Sequence, residues 1–166
     1  DAHAHVSWNG REPWRMGVSY LAHTFGSDFL NLGIPFTNNI ARGKAETMLR
    51  MMERHVNSPL TSSCGRLFDG VAAVIGLRQT VNYEAQAAME MESAALAAPK
   101  RAGAYPFSLI RDGNRWQIGI RPLFQAIVNE IRQNTPVETI SLRYHNGLVD
   151  ILSQLPEWLR EENSLQ

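Results

Sequence analysis

The residues whose types and spacing could support ligand chemistry lie in the stretch TSSCGRLFDGVAAVIGL, Thr61 to Leu77. Gly65 stands near a predicted helix start, where the absence of a side chain lets a ligand approach backbone amides that have no partner within the helix. Asp69 follows four residues later and therefore shares a helix face with Gly65. A carboxylate only accepts hydrogen bonds and could take them from both hydroxyls of a ribose. This spacing suggests a binding site for the sugar of a nucleotide.

The same helix also has an interpretation that needs no ligand. At 100° per residue, one side carries a normal core stripe of Leu67, Phe68, Val71, Val74 and Ile75. The other side carries small residues and one carboxylate, namely Gly65, Asp69, Ala72, Ala73 and Gly76. Small helical faces commonly pack against another helix, and Asp69 could then pair with an arginine such as Arg66 or Arg78. The residues alone favour this packing interpretation.

The elements that must position this stretch are mostly helical. Helices are predicted at Pro13 to Gly26, Lys44 to His55, Ser62 to Gly76, about Glu84 to Ala97, from Pro122, and from Thr135 past Leu152. The last has a capping-box start and is expected to be interrupted at Pro156. Residues 27–43 are predicted to be a loop, and YPFSLIRDGNRWQIGI is predicted to form a hairpin that turns at Asp112-Gly113. The predicted fold class is mostly α (α+β) with one β-hairpin.

The amino-acid composition limits the binding partners and the cellular compartment that can be expected for this chain. The 166 residues fit one domain, and 16 basic residues balance 16 acidic ones, so nothing indicates nucleic acid as the main partner. No apolar run approaches the roughly 20 residues of a membrane helix. The single cysteine, Cys64, cannot form an internal disulfide, which favours a reducing, cytoplasmic location.

Several segments resemble the carbamoyltransferase domain of the HypF family of hydrogenase maturation proteins. They are NSPLTSSCGRLFDGVAAVIGL followed by VNYEAQAAMEME, with REPWRM before them and RYHNGL after them, in the family's order. The resemblance spans about residues 11 to 152. It implies one lobe of an actin, sugar-kinase and Hsp70-type fold that binds ATP between two lobes. The chain is similar, more distantly, to the tRNA-modifying enzyme TsaD, whose corresponding helix has the same Gly-x-x-x-Asp spacing.

For residues 61–77, the resemblance favours the ligand interpretation over the packing interpretation, because it implies that Gly65 and Asp69 contact the nucleotide. It also makes Glu84 a candidate nucleotide contact, although a carboxylate near a helix start is favoured by the helix dipole in any case. The family commonly shows glycine where Ala85 stands, so this position departs from its pattern.

For the whole protein, the resemblance implies a concrete reaction. The family uses carbamoyl phosphate and ATP, passes through carbamoyl adenylate, and carbamoylates the C-terminal cysteine of its partner HypE. That group becomes the cyanide ligand of nickel–iron hydrogenase. The implied partners are therefore HypE and the rest of the HypF-type protein. The alternative from another functional class is a non-catalytic helical interaction module, whose small face docks a partner helix.

The chain also departs from the family in ways that suggest a fragment. It starts at Asp1 without methionine, and the family's paired metal-binding histidines and glycine-rich LSGG and NDGG segments are absent. We therefore expect an irregular segment 1–10, a partial carbamoyltransferase domain 11–155 and a polar tail 156–166, without carbamoyl transfer by this chain alone. The DAHAH start offers His3 and His5 as metal ligands, but no metal site is predicted there.

Three further residues are assigned structural roles. Cys64 lies near a helix N-terminus, where a thiol pKa can fall, yet it is predicted to be a buried structural cysteine. Arg143 and His145 belong to the RYHNGL segment but stand two apart on a helix, so they do not share a face. A solvated or capping role is predicted for both.

Overall fold

The computed structural model describes residues 11–113 and 115–163. Over these ranges the chain forms seven α-helices, one 3₁₀-helix and one two-stranded antiparallel sheet. The helices are α1 (Pro13–Phe25), α2 (Pro35–Asn39), α3 (Arg42–Glu53), α4 (Cys64–Val74), α5 (Gln86–Leu96), α6 (Arg121–Arg132) and α7 (Val137–Asn163), with the 3₁₀-helix at Gly26–Asn31. The predicted fold class, mostly helical with one hairpin, is confirmed. None of the described helices combines the length and apolarity required to cross a membrane.

Helices α1 and α4 form the centre of the fold because two glycines let them approach closely. A Cβ atom added at Gly70 of α4 would lie 2.4 Å from the Tyr20 ring of α1. One added at Gly17 of α1 would lie 3.3 Å from Cγ2 of Val74 on α4 and 2.8 Å from the ring of Phe36 on α2. Tyr20 in turn stacks on Phe124 of α6, with ring centroids 5.1 Å apart. The core is therefore built around the pairing of α1 with α4.

The predicted core stripe of α4 is confirmed. Leu67, Val71, Val74 and Ile75 are buried, and the half-buried Phe68 packs against the core. The small residues Ala72 and Ala73 are fully buried as well. The part of the small face that carries these two alanines therefore packs against the rest of the chain, as the packing interpretation predicted.

Residues 27–43 differ from the predicted loop. They contain most of the 3₁₀-helix and all of α2, which begins with Pro35 in its first turn. Phe29, Ile34 and Phe36 of this region are buried in the core. Burial of these three large side chains outweighs the turn preference of the asparagines and glycines around them.

The prediction that Pro156 interrupts the last helix is wrong, since α7 continues through it. Proline cannot donate to the carbonyl of Leu152, four residues earlier. Leu152 is 55% exposed, so this part of the helix is open to solvent, where water can take the place of the lost donor.

The hairpin consists of β1 (Ser108–Asp112) and β2 (Arg115–Gly119). Asp112 pairs with Arg115 and Ser108 with Gly119, so the connection falls at positions 113–114, one residue later than predicted. Gly113 has a φ of +59°, a conformation that glycine adopts without steric cost. The hairpin itself is confirmed.

Candidate functional site

The candidate site is a cleft of about 690 Å³ between the exposed side of α4 and the segment that leads into α5. The residues that line it are Arg11, Arg66, Asp69, Val81, Asn82, Tyr83, Glu84 and Ala85. The lining is mostly polar and includes two arginines and two carboxylates. The structure therefore brings Asp69 and Glu84, fifteen positions apart in the sequence, to one open cleft.

Asp69 is buried, with 6% of its surface exposed. Its Oδ2 atom lies 2.8 Å from Nη1 of Arg66, one turn earlier on α4. Desolvation raises the pKa of the Asp69 carboxyl, and the positive charge of Arg66 opposes that shift only in part. The arginine pairing considered from the sequence is thus present. It uses Oδ2, so Oδ1 can still accept hydrogen bonds from another donor.

Glu84 is exposed and lies two residues before α5, which begins at Gln86 rather than at about Glu84. The residue between them, Ala85, has a φ of +62° and a ψ of 6°, in the left-handed region. An alanine rarely adopts this conformation because its Cβ crowds the backbone. The glycine that the family commonly carries here therefore has a conformational explanation, separate from any approach of a ligand.

Gly65 lies in the first turn of α4, is exposed, and is not among the residues that line the cleft. A Cβ atom placed there would meet only the Ser63 hydroxyl, at 3.6 Å. The first turn of α4 receives no side-chain cap from Ser63, and the amides of Arg66 and Leu67 donate to the Ser63 carbonyl. The amides of Cys64 and Gly65 are therefore those left for an external acceptor. Gly65 thus stands one turn from the cleft, beside Asp69.

Arg143 and His145 serve the fold, and the predicted solvated or capping role is wrong. Arg143 is only partly exposed; it forms an ion pair with Glu130 of α6 and donates to the carbonyl oxygen of Ala102. Nδ1 of His145 lies 2.8 Å from the Ser141 carbonyl oxygen, and its ring contacts Phe68. Both side chains face packed segments because α7 has neighbours on more than one side.

Other residues of the RYHNGL segment also hold residues 102–105 in place through hydrogen bonds and close packing. Asn146 donates through Nδ2 to the Gly103 carbonyl at 2.7 Å, and the Tyr105 amide donates to the Arg143 carbonyl at 3.0 Å. A Cβ atom at Gly147 would lie 2.5 Å from the Tyr105 carbonyl oxygen. This motif is therefore a packing motif.

Cys64 contradicts its prediction, since it is exposed and not a buried structural residue. It is the first residue of α4, and its side chain lines a second cavity of about 580 Å³ between the start of α4, β2 and α7. This cavity is mostly apolar, with Leu67, Trp116 and Leu148 among its walls. Desolvation raises the pKa of the Cys64 thiol, which favours the thiol over the nucleophilic thiolate at neutral pH.

A metal site is not formed by the part of the chain that the structure describes. Within residues 11–113 and 115–160, no three histidine, cysteine, aspartate or glutamate residues lie close enough together to hold an ion. These residues therefore do not fit the metal that the resemblance implies for the full domain. His3 and His5 lie outside the described residues.

Sequence reasoning did not single out four residues of the cleft: Arg11, Val81, Asn82 and Tyr83. Tyr83 is 54% exposed, so its ring is accessible to a ligand in the cleft. The signal available in the sequence was the polar, turn-rich segment VNYE between two helices. Arg11 joins the cleft because its carbonyl accepts a hydrogen bond from the Val81 amide at 3.0 Å.

Comparison with known proteins identifies the family. Residues 8–166 match the family model "Carbamoyltransferase, Kae1-like Domain, second subdomain". The carbamoyltransferase HypF of Synechocystis sp. is 35% identical over 152 residues, covering 84% of this chain and 19% of that protein. The carbamoyltransferase HypF of Rhizobium leguminosarum bv. viciae is 36% identical over 122 residues, covering 74% and 15%.

A solved structure of full-length HypF in the phosphate- and nucleotide-bound form superposes with a TM-score of 0.81 at 25% sequence identity. The match covers 93% of this chain and 23% of that one. The chain thus spans about a fifth of the length of these relatives. Its helices and hairpin form part of a Kae1-like nucleotide-binding domain, and the chain belongs to the HypF family of carbamoyltransferases.

Proposed function

We propose that this chain supplies one wall of the nucleotide cleft of a HypF-type carbamoyltransferase. Asp69 accepts hydrogen bonds from the ribose hydroxyls, Glu84 contacts the nucleotide from the opposite side of the cleft, and the amides around Gly65 lie against it. The observation that carries the proposal is the meeting of Asp69 and Glu84 in one open cleft. The solved HypF structure with bound nucleotide, at a TM-score of 0.81, supports it.

The chemistry of the cleft suits a sugar better than a phosphate group. The second oxygen of Asp69 and the carboxylate of Glu84 can accept hydrogen bonds, and ribose hydroxyls are donors. Burial of Asp69 lowers the local dielectric and strengthens such bonds. The exposed Tyr83 ring offers a flat apolar surface for the base. These residues bind and orient a nucleotide, and no chemical step is assigned to them.

We further propose that the complete protein uses ATP and carbamoyl phosphate to form carbamoyl adenylate. It then transfers the carbamoyl group to the C-terminal cysteine of HypE, for the cyanide ligands of nickel–iron hydrogenase. The family membership and the names of the relatives support this assignment. A cytoplasmic location is part of the same proposal, because the chain's single cysteine suits a reducing compartment.

A non-catalytic interaction module is the second candidate, and one observation favours it. Asp69 already has a partner in Arg66, whereas Ala72 and Ala73 of the small face are buried by this chain's own residues and are not open to a partner helix. Under this alternative the ion pair is structural, and the cleft is a surface feature without a ligand.

Titration of the chain with ATP, followed by calorimetry, distinguishes the two. Loss of a hydrogen bond to a charged group costs about 1.5–3 kcal/mol, which corresponds to a factor of about 10 to 150 in affinity. We expect a weakening of about tenfold for Asp69→Ala, near the lower limit, because Arg66 competes for the carboxylate. Asp150→Ala, which removes an exposed carboxylate from α7, is the control and should bind as the wild type does.

The proposal is wrong if Asp69→Ala binds ATP as tightly as the wild type while remaining folded by circular dichroism. Absence of ATP binding by the wild type, together with specific association of the small face with a helical partner, would instead support the interaction module.

A further inference from the structure

A bidentate ion pair joins the segment that follows α4 to α5. Nε of Arg78 donates to Oε2 of Glu90 at 2.7 Å, and Nη2 donates to Oε1 at 2.5 Å. The two parallel bonds match the planar guanidinium to the planar carboxylate. Hydrogen bonding to Arg78 lowers the pKa of Glu90, so the carboxylate stays ionised at neutral pH. The pair therefore fixes Glu90 in one position relative to the chain leaving α4.

Gln86 extends this network to the wall of the cleft. It is buried, with 6% of its surface exposed, and uses both ends of its amide. Nε2 donates to Oε1 of Glu90 at 2.9 Å, and Oε1 accepts from the Asn82 backbone amide at 2.8 Å. The second bond closes the turn of residues 82–86. Three of the cleft's lining residues, Tyr83 to Ala85, lie inside that closed turn.

Hydrogen bonds that do not involve Gln86 or Glu90 hold the chain before this turn in place. Nε2 of Gln79 donates to the Ala73 carbonyl at 2.9 Å, and the Val81 amide donates to the Arg11 carbonyl at 3.0 Å. With residues 79–81 held on that side, the Gln86 bond determines how the chain continues from Asn82 into α5. It must also hold Ala85 in the left-handed conformation, which an alanine would otherwise leave.

We propose that Gln86 and Glu90 are positioning residues for the candidate cleft, neither of which contacts the ligand. Glu90, anchored by Arg78, orients the amide of Gln86, and Gln86 holds the turn that presents Tyr83 and Glu84. This inference rests on the proposed function only for its consequence, nucleotide affinity. The conformation of the turn can be measured without any ligand.

Two variants separate the network from general packing. Gln86→Met keeps a long side chain but removes the donor and the acceptor. Glu90→Ala removes the carboxylate that orients the Gln86 amide and leaves Gln86 itself in place. Gln125→Met, at an exposed position of α6, is the matched control.

The first measurement is hydrogen exchange of the Asn82 backbone amide, which donates to Oε1 of Gln86, in the wild type and each variant, without ligand. We expect exchange about five- to tenfold faster in Gln86→Met, the factor that corresponds to loss of about one hydrogen bond. Glu90→Ala should accelerate exchange by a smaller factor, because Gln86 is still present, and Gln125→Met should not differ from the wild type. Titration with ATP should show the same order of affinities, with a similar loss in Gln86→Met.

Unchanged exchange of the Asn82 amide in Gln86→Met overturns the inference. If Gln86→Met does not fold, Glu90→Ala removes the same support from a partly exposed position and should accelerate exchange of the turn about twofold or more. Absence of that acceleration also overturns it. If the wild type does not bind ATP, the proposed function fails, while the exchange data still decide the role of Gln86 and Glu90.

Discussion

Replacement of Gly147 by alanine tests the packing role assigned to the RYHNGL segment. Gly147 is a buried residue of α7, and a Cβ atom there would lie 2.5 Å from the Tyr105 carbonyl oxygen and 3.1 Å from Cε2 of Phe107. Both distances are shorter than ordinary van der Waals contacts. Either α7 or the segment of residues 102–107 must therefore move by several tenths of an ångström.

The magnitude follows from what holds that segment in place. Overpacking costs about 1–3 kcal/mol, and movement of the segment strains the neutral hydrogen bonds from Asn146 to Gly103 and from Tyr105 to Arg143, each worth about 1 kcal/mol. Alanine recovers about 1 kcal/mol through its higher helix propensity. We expect the free energy of unfolding to fall by about 2 kcal/mol.

Equilibrium urea denaturation, followed by far-ultraviolet circular dichroism, measures this difference, with the m-value checked for constancy. Gly43→Ala is the control, because Gly43 is exposed in the first turn of α3 and a Cβ atom there would meet nothing within 4 Å. It should leave stability unchanged or raise it by up to about 1 kcal/mol. A Gly147→Ala chain as stable as Gly43→Ala would refute the close contact between α7 and Tyr105.

Two further predictions concern the candidate cleft. Ala85→Gly should raise the free energy of unfolding by about 1 kcal/mol, because it relieves the left-handed conformation at a φ of +62°; thermal denaturation measures this, and a loss of stability would contradict it. Asp69→Asn should make the chain more stable than the wild type at pH 7. The pKa of Asp69 is raised by desolvation, so the native state binds the proton more tightly than the unfolded state does. The wild type should therefore approach Asp69→Asn in stability as the pH falls towards 3.8, the ordinary value, and urea titrations at pH 4 and pH 7 measure the difference.

The helices that the sequence predicted correctly are those with clear periodicity and clear boundaries. The proline at the start of α1 and the core stripe of α4 are local signals, and both elements form close to the predicted positions. The helices within residues 27–43 lack a clear hydrophobic periodicity, although α2 also begins with a proline. They exist because Phe29, Ile34 and Phe36 find places in the core, which depends on residues distant in the sequence.

The candidate site could be predicted only in part, for a similar reason. The spacing of Gly65 and Asp69 was visible in the sequence, but the cleft needs the segment of residues 81–85 to return beside α4. That return depends on long-range bonds of Arg78 and Val81. The left-handed Ala85 could not be predicted from propensity, since alanine is a poor residue for that conformation.

Asp69 offers a way to test stability and the proposed function together. A buried carboxylate whose pKa is raised despite an adjacent arginine costs folding free energy at neutral pH, so its ion pair with Arg66 does not fully offset its desolvation. Such a residue is expected where a ligand supplies the missing hydrogen bonds. Higher stability of Asp69→Asn together with loss of ATP affinity would fit a ribose contact. Lower stability with unchanged ATP affinity would make the pair with Arg66 a structural one, and the interaction module would then be the better explanation of this surface.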